Sequence, residues 1–152
     1  MEAEEILKQY AEGERNFKGI TLVGVDLRGA DLSNSNFTRA NFRNIKLMGA
    51  NLCGVNLREV YLGDADLNGA NLSEANLIGA SLVKTDLNNA DLSEANLRGS
   101  NSREANFSQA NLRGANLTEA NFSQANLTAA NLTAATMIRV NLIRAILNGS
   151  SL

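Results

Sequence analysis

Six consecutive five-residue units, ANFSQ ANLRG ANLTE ANFSQ ANLTA ANLTA, fill residues 105–134. The same frame runs without interruption from residue 16 to residue 152. We call the Leu or Phe position of each unit the centre; the 28 centres are all Leu, Phe or Met except Ser102. Two residues before the centre, Ala fills 17 of 27 positions, and one residue before it, Asn or Asp fills 21 of 28. A repeat this strict leaves the chain few ways to fold.

A period of five fits neither an α-helix nor a flat β-strand. At about 100° per residue, centres five residues apart in a helix would rotate by about 140° each time and form no apolar face. A strand alternates its side chains with period two, whereas the apolar spacing here is two and then three. Both spacings are satisfied if a short extended segment points Ala115 and Leu117 inward and a two-residue corner follows. Repetition then predicts a coil around a dry axis, with successive coils about 4.8 Å apart.

The pattern A-(D/N)-L-x-x, repeated over about nine-tenths of the chain, resembles the pentapeptide-repeat proteins. This resemblance implies an all-β solenoid: a right-handed, four-sided parallel β-helix of about seven coils with a short N-terminal capping α-helix. Like residues 20 positions apart, such as Phe17 and Phe37, favour four sides over three. We therefore divide the chain into a cap, residues 1–15, and a β-helix, residues 16–152.

Residues 2–12 are predicted to form the capping helix. Ile6, Leu7 and Tyr10 fall on one apolar stripe, and Gly13 is a plausible stop signal. A stacked coil exposes unpaired β-edge groups at each end, which invite aggregation unless they are covered. We expect the helix to cover the first coil. A membrane-binding helix is disfavoured because three Glu precede a single Lys in this segment.

The last coil is more apolar on its outside than the earlier ones. Isoleucines stand where earlier coils place polar residues, and a Met replaces one central Leu. An open β edge ringed by exposed apolar residues is either an interface or an aggregation liability. Some pentapeptide-repeat proteins dimerise through their C-terminal coils, and the resemblance implies an end-to-end homodimer here. Its candidate interface residues are Met137, Ile138, Ile143, Ile146 and Leu152.

The residue inventory argues against catalysis. With no His, no Trp and a single Cys, the chain offers no Ser-His-Asp triad, no His-ligated zinc site and no imidazole base. Ser102, the one polar centre, therefore lacks a base to activate it, and we expect a large neighbouring ring, Phe107 or Phe122, to fill the space of a Leu. We expect no catalytic residue, no metal site and no cofactor.

Charge separates two functional hypotheses. Residues 19–152 hold 11 acidic and 11 basic residues. When the residues are sorted onto the four sides of the coil, the two sides that contain Leu57 and Leu62 (the basic sides) carry eight basic and four acidic residues. The two sides that contain Leu67 and Leu72 (the acidic sides) carry three basic and seven acidic residues. One branch of the family resembles DNA and binds DNA gyrase. Duplex DNA carries a charge about every 1.7 Å, so such mimicry needs a strongly acidic rod, which the balanced charges of this chain disfavour. The acidic residues available for such mimicry are Asp26, Asp66, Asp86, Asp31, Asp91, Glu74 and Glu94.

The leading hypothesis is a non-enzymatic scaffold that engages an unidentified partner protein, with a gyrase-directed DNA mimic as the alternative. With few aromatic residues, we do not expect direct binding of nucleic acid. No apolar run approaches the about 20 residues of a membrane span, so we expect no membrane contact. The N-terminus does not read as a signal peptide, and the single Cys53 cannot form an internal disulfide. These features favour a cytoplasmic location.

Overall fold

The computed structural model describes residues 1–152 and contains one α-helix, α1 (Ala3–Ala11), followed by a regular coil that begins at residue 16. The coil contains single-residue β-bridges rather than longer strands: each unit contributes one parallel bridge, at the residue before the centre. These bridges join residues 20 positions apart, from Asn16 and Asn36 to Asn131 and Ser151. Four five-residue units therefore complete each coil, as the sequence predicted.

The interior is a column built from the centres and the small residues two places earlier. Every centre from Phe17 to Leu132 is at most 2% exposed. The position two before the centre is buried from Ser35 to Ala130, whereas the Asn/Asp position between the two points outward. Alternation within each short extended segment produces this arrangement. The predicted inward packing is confirmed over these residues.

Each corner is a tight turn that requires a left-handed backbone. The amide of Ala40 donates to the carbonyl of Phe37 at 2.9 Å, closing a four-residue turn whose third residue, Arg39, has φ of 60°. Positive φ recurs at this position in every unit, as in type II turns. Glycine adopts it without strain, yet 17 non-glycine residues also hold it. The stacked coil thus imposes a conformation that many of its residues disfavour.

The Asn/Asp position is explained by hydrogen bonds. Its side-chain oxygen accepts the amide two residues later, as Asn36 does from Thr38 at 3.1 Å. Its amide can also reach the equivalent residue one coil away, as Asn51 reaches Asp31 at 3.1 Å. These contacts give the Asn/Asp position a structural role: it bonds the corner backbone and the neighbouring side-chain amides.

The polar centre Ser102 is fully buried. The 20-residue register places it between Leu82 and Phe122. Its hydroxyl oxygen lies 3.4 Å from that of Ser100, and the nearby rings of Phe107 and Phe122 pack with centroids 5.0 Å apart. Two adjacent buried serines thus share a hydrogen bond beside an aromatic pair, an arrangement that fits a packing role.

Candidate interaction surfaces

Helix α1 covers the N-terminal end of the coil. Ile6 is fully buried, and Tyr10 donates its hydroxyl hydrogen to the carbonyl of Ser33 at 3.1 Å. The Arg15 guanidinium lies 3.6 Å from the centre of the Tyr10 ring and donates to the Tyr10 carbonyl at 2.8 Å. One apolar side chain and one clamped aromatic residue thus attach the helix to the first coil.

Leu7 does not share in this contact, contrary to its assignment to the apolar stripe. Its side chain is 38% exposed. At about 100° per residue, Leu7 projects about 70° away from the mean direction of Ala3, Ile6 and Tyr10. Leu7 therefore points away from the first coil, whereas Ala3, Ile6 and Tyr10 pack on the core.

The C-terminal end carries no such cover. The centres Met137, Leu142 and Leu147 are only half-buried, unlike all earlier centres. The inter-coil hydrogen bonds donated by centre amides stop at Leu132, which donates to Ser151 at 2.7 Å. The final coil therefore presents an unpaired β edge and a partly exposed core.

All five residues that the sequence pointed to lie on this final coil. The 20-residue register assigns them to its four successive sides. Met137 is half-buried, and the exposed fractions of the others are Ile138 56%, Ile143 67%, Ile146 49% and Leu152 73%. The result is an apolar ring around an open end, with at least one apolar residue on each side.

On the basic sides, three carboxylates are each held between two cations. Because each such group carries two positive charges and one negative charge, the excess remains positive. The pairs are Glu59 with Arg39 at 2.6 Å and Arg58 at 3.3 Å, Glu104 with Arg103 at 3.0 Å and Lys84 at 4.0 Å, and Glu119 with Arg139 at 2.5 Å and Arg98 at 4.0 Å.

On the acidic sides, most carboxylates form no ion pair. Asp26 is the only one of the seven in an ion pair, with Arg28 at 2.6 Å, and hydrogen bonding from that guanidinium lowers the pKa of Asp26 to about 2. The pKa of Asp31 is also lowered, chiefly by hydrogen bonds from the backbone and side chain of Ser33. The basic and acidic sides therefore differ in how their carboxylates are neutralised: three on the basic sides lie between two cations, whereas six of the seven on the acidic sides have no cationic partner.

One surface on the basic sides is apolar. Tyr61, which occupies an Asn/Asp position, is 57% exposed. The register places it between Asn41 and Ser81, and in the coil of Ser81 the half-buried Ile78 and Val83 stand three residues before and two residues after that serine. Gly79 follows Ile78, and Gly63 lies one coil before Val83. We refer to Tyr61, Gly63, Ile78, Gly79 and Val83 as the Tyr61 surface.

Elsewhere the molecule offers no enclosed site. The one surface depression is lined by four polar or small residues near the end of α1, namely Gln9, Glu12, Gly13 and Glu14. No group of His, Cys, Asp or Glu side chains converges as metal ligands would. The single helix, of nine residues, could not cross a bilayer.

The model of the pentapeptide repeats family matches residues 16–54, 56–93, 85–124 and 125–152, in eight copies. The chain belongs to this family. This pentapeptide repeat protein is similar to the solved structure of HetL, a pentapeptide repeat protein involved in heterocyst differentiation regulation from the cyanobacterium Nostoc sp. strain PCC 7120. The two are 29% identical over 100% of this chain and 95% of HetL, with a TM-score of 0.48.

Two other solved structures illustrate the range of the family. A pentapeptide repeat protein from the Arabidopsis thaliana thylakoid lumen is 35% identical over 74% of this chain and 68% of its own, with a TM-score of 0.43. QnrB1, a plasmid-mediated fluoroquinolone resistance protein, is 21% identical over 88% of this chain and 85% of its own, with a TM-score of 0.41. No curated protein sequence matches the chain.

Proposed function

We propose that this pentapeptide repeat protein is a non-enzymatic scaffold: a stiff right-handed rod of about seven coils that presents fixed surfaces to a partner protein. The observation that carries this proposal is the open C-terminal end. Within residues 1–152, α1 packs on the first coil, whereas the apolar side chains of the last coil stay exposed. Exposed apolar side chains such as those of Ile138 and Ile143, at 56% and 67%, favour a contact with another chain.

The occupant we propose for that end is a second copy of the same coil. Two identical ends related by a two-fold axis form a closed dimer, because each surface is complementary to itself. The contact would cover the exposed isoleucines and the β edge of both copies at once. Such a dimer has two α1 helices at its outer ends and a continuous apolar column through its middle.

Sedimentation of the purified chain tests the dimer. We expect a dimer at micromolar concentration and a folded monomer for Ile143→Asp, because a carboxylate at that site would be buried without a partner. Val23→Asp is the matched control, since Val23 is 49% exposed near the other end and its substitution leaves the dimer intact. A stable wild-type monomer would contradict the proposal.

A pull-down from the native host tests the scaffold itself. The intact chain is expected to retain a specific partner protein, and comparison with Ile143→Asp shows whether that partner requires the dimer. If the intact chain retains no specific partner, the scaffold function is wrong.

The alternative is a topoisomerase-directed inhibitor that mimics DNA along its acidic sides. It is favoured by the six carboxylates there that lack any ion pair, since free carboxylates are what a phosphate mimic needs. Asp66 and Asp86 illustrate the arrangement, because they bridge to each other in register and so lie about 4.8 Å apart.

A gyrase supercoiling assay separates the alternatives. Inhibition at low micromolar protein that weakens with added salt, and is reduced in the double variant Asp66→Asn/Asp86→Asn, would favour the mimic. Glu59→Gln, on the basic sides, is the matched control and should leave inhibition unchanged. Absence of inhibition by the wild-type chain would reject this alternative and leave the scaffold proposal in place.

A further inference from the structure

We propose that the Tyr61 surface docks an acidic segment of a partner protein that carries an exposed aliphatic or aromatic side chain. This inference rests on the scaffold function proposed above and assigns it a surface and a partner chemistry. It concerns the basic sides of the rod, away from the C-terminal end.

Tyr61 gives up a structural hydrogen bond that Asn forms at the same position. In the same column of the same side, the oxygens of Asn41 and Asn101 accept the amides of Arg43 and Arg103, each at 3.3 Å. A tyrosine at this position has no oxygen to place there, and the amide of Gly63 donates no such bond. The ring is also 57% exposed, so it gains little from burial. The fold therefore obtains no evident benefit from Tyr61.

Two apolar side chains, Ile78 and Val83, lie near Tyr61 in the next coil. Val83 and Ile78 occupy corner positions that are polar in most units. Gly63 has no side chain, and a Cβ there would meet nothing closer than the Val83 carbonyl, at 3.8 Å, whereas at Gly79 a Cβ would meet the Glu59 side chain at 3.5 Å. Gaps beside a projecting ring can receive a side chain from another molecule. A central aromatic anchor with adjoining space is the usual anatomy of an interface hot spot.

The charged side chains around Tyr61 carry a net positive charge. Six cations border Tyr61: Arg39, Arg43, Arg58, Lys84, Arg98 and Arg103. Three carboxylates also lie there, Glu59, Asp64 and Glu104, which leaves a positive excess. Two of the carboxylates hold arginines in place, at 2.6 Å from Arg39 and at 3.0 Å from Arg103. Arginine is enriched in protein interfaces because its planar donors match carboxylates.

These features favour an acidic protein segment over nucleic acid. A nucleic-acid surface is strongly and uniformly basic and uses several aromatic residues to stack bases. Here there is a single ring, and its border mixes cations with carboxylates instead of being uniformly basic. An acidic peptide with an apolar anchor satisfies both halves of the surface: carboxylates meet the arginines, and the anchor fills the space at Gly63.

The experiment is an amide-detected NMR titration of the full chain with a synthetic peptide of alternating Glu and Leu. We expect the largest shift changes at Tyr61, Gly63, Ile78 and Val83, and affinity about tenfold lower or worse in Tyr61→Asn. Asn is the residue that the coil prefers at this position, so this variant keeps the fold. Met48→Asn, which removes a 45% exposed apolar side chain on a different side, is the matched control.

Two further probes distinguish the occupants. A peptide of Glu alone should bind more weakly than the Glu/Leu peptide, and its affinity should not change in Tyr61→Asn. Equal binding of the two peptides would overturn the proposal. So would the absence of binding, or shift changes centred on another part of the chain. A single-stranded oligonucleotide that binds this surface more tightly than the Glu/Leu peptide would also overturn it. So would self-association of the chain alone that Tyr61→Asn abolishes, which would make the occupant a second copy.

The assignment of the Tyr61 surface and the scaffold function can fail independently of each other. A partner from the native host that is retained equally by Tyr61→Asn protein would overturn the assignment of this surface and leave the scaffold proposal standing. A partner lost with Tyr61→Asn and kept with Met48→Asn, together with the peptide shifts, supports both.

Discussion

The hydroxyl of Tyr10 donates a hydrogen bond to the carbonyl of Ser33 at 3.1 Å, so a helix residue is joined to the corner of a coil 23 positions later. Arg15, whose guanidinium lies over the Tyr10 ring, holds the ring from its other side. Together these contacts place Ile6 over the first coil, where it is fully buried. The cap is therefore positioned by polar contacts at its edge and stabilised by one apolar side chain at its centre.

Shortening Ile6 should destabilise the N-terminal end. For Ile6→Ala we expect a loss of about 2–4 kcal/mol in the free energy of unfolding, because a fully buried side chain is replaced by a cavity. Leu7→Ala is the control and should cost about 1 kcal/mol or less, since Leu7 is 38% exposed. Urea denaturation measures both. Equal losses in the two variants would contradict the covering geometry.

Removing the hydroxyl of Ser35 should stabilise the protein. Ser35 is 1% exposed at an inward position, and its hydroxyl oxygen is the one buried side-chain polar atom without a hydrogen-bond partner. Ser35→Ala therefore removes an unpaired polar group, and we expect a gain of about 1 kcal/mol. Thr85→Ala is the counterpart: Thr85 donates to the Leu62 carbonyl at 2.7 Å, so its loss should cost about 1–2 kcal/mol. Thermal unfolding of the two variants should shift in opposite directions.

The change in stability on substituting a corner residue should depend mainly on the backbone conformation at that corner. Gly99 has φ of 64° with no atom within 4 Å of an added Cβ, so Gly99→Ala tests strain without a clash and should cost about 1 kcal/mol. Ala129 already holds φ of 58°, and Ala129→Gly should relieve a similar strain, although the added freedom of the unfolded chain offsets part of the gain. Denaturation midpoints give the comparison. A more stable Gly99→Ala variant would contradict the left-handed conformation assigned to this corner.

Acid should weaken the first coils before the rest. The folded-state pKa values of Asp26, Asp31, Glu14 and Glu59 are all lowered, chiefly by hydrogen bonds from Arg28, Ser33, Asn16 and Arg39 respectively. A lowered carboxylate pKa contributes stability that is present above the unfolded value, 3.8 for Asp, and is lost as pH falls through the folded value, about 2 for Asp26.

Hydrogen exchange of the amides in the first coils, followed between about pH 5 and about pH 2 at constant ionic strength and corrected for intrinsic exchange, measures this effect. Between about pH 5 and about pH 8 stability should be nearly flat, because the chain has no His. Unchanged protection down to about pH 2 would contradict the expected order.

The interior of the rod was predictable because its period is incompatible with other regular structures. The alternation of Ala115, Asn116 and Leu117 specifies inward, outward and inward directions, and the coordinates place these side chains accordingly. The Asn and Asp preference at Asn116 and its equivalents is visible in the sequence, and the structure explains it by hydrogen bonds to the corners. Such features repeat in every unit, so one correct assignment extends along the chain.

The surfaces were less predictable because they depend on single departures from the repeat. Leu7 falls within an apolar stripe by spacing, but the width of the coil end decides that it stays exposed. Tyr61 is visible in the sequence only as a residue that is neither Asn nor Asp. Its neighbours Ile78 and Val83 lie 17 and 22 positions away, and the 20-residue register brings all three together. Grouping unusual residues by that register would have identified this surface.

The bridging of each residue to the one 20 positions later also determines how such a chain tolerates changes in length. Duplicating or deleting four successive units lengthens or shortens the rod and leaves every remaining side chain facing the direction it had before. Adding a single unit instead rotates everything beyond it by one quarter of a turn. The basic sides and the acidic sides beyond the insertion then no longer line up with those before it, although the interior remains filled. Gene changes in steps of one unit can therefore rearrange the outside of this protein without unfolding it.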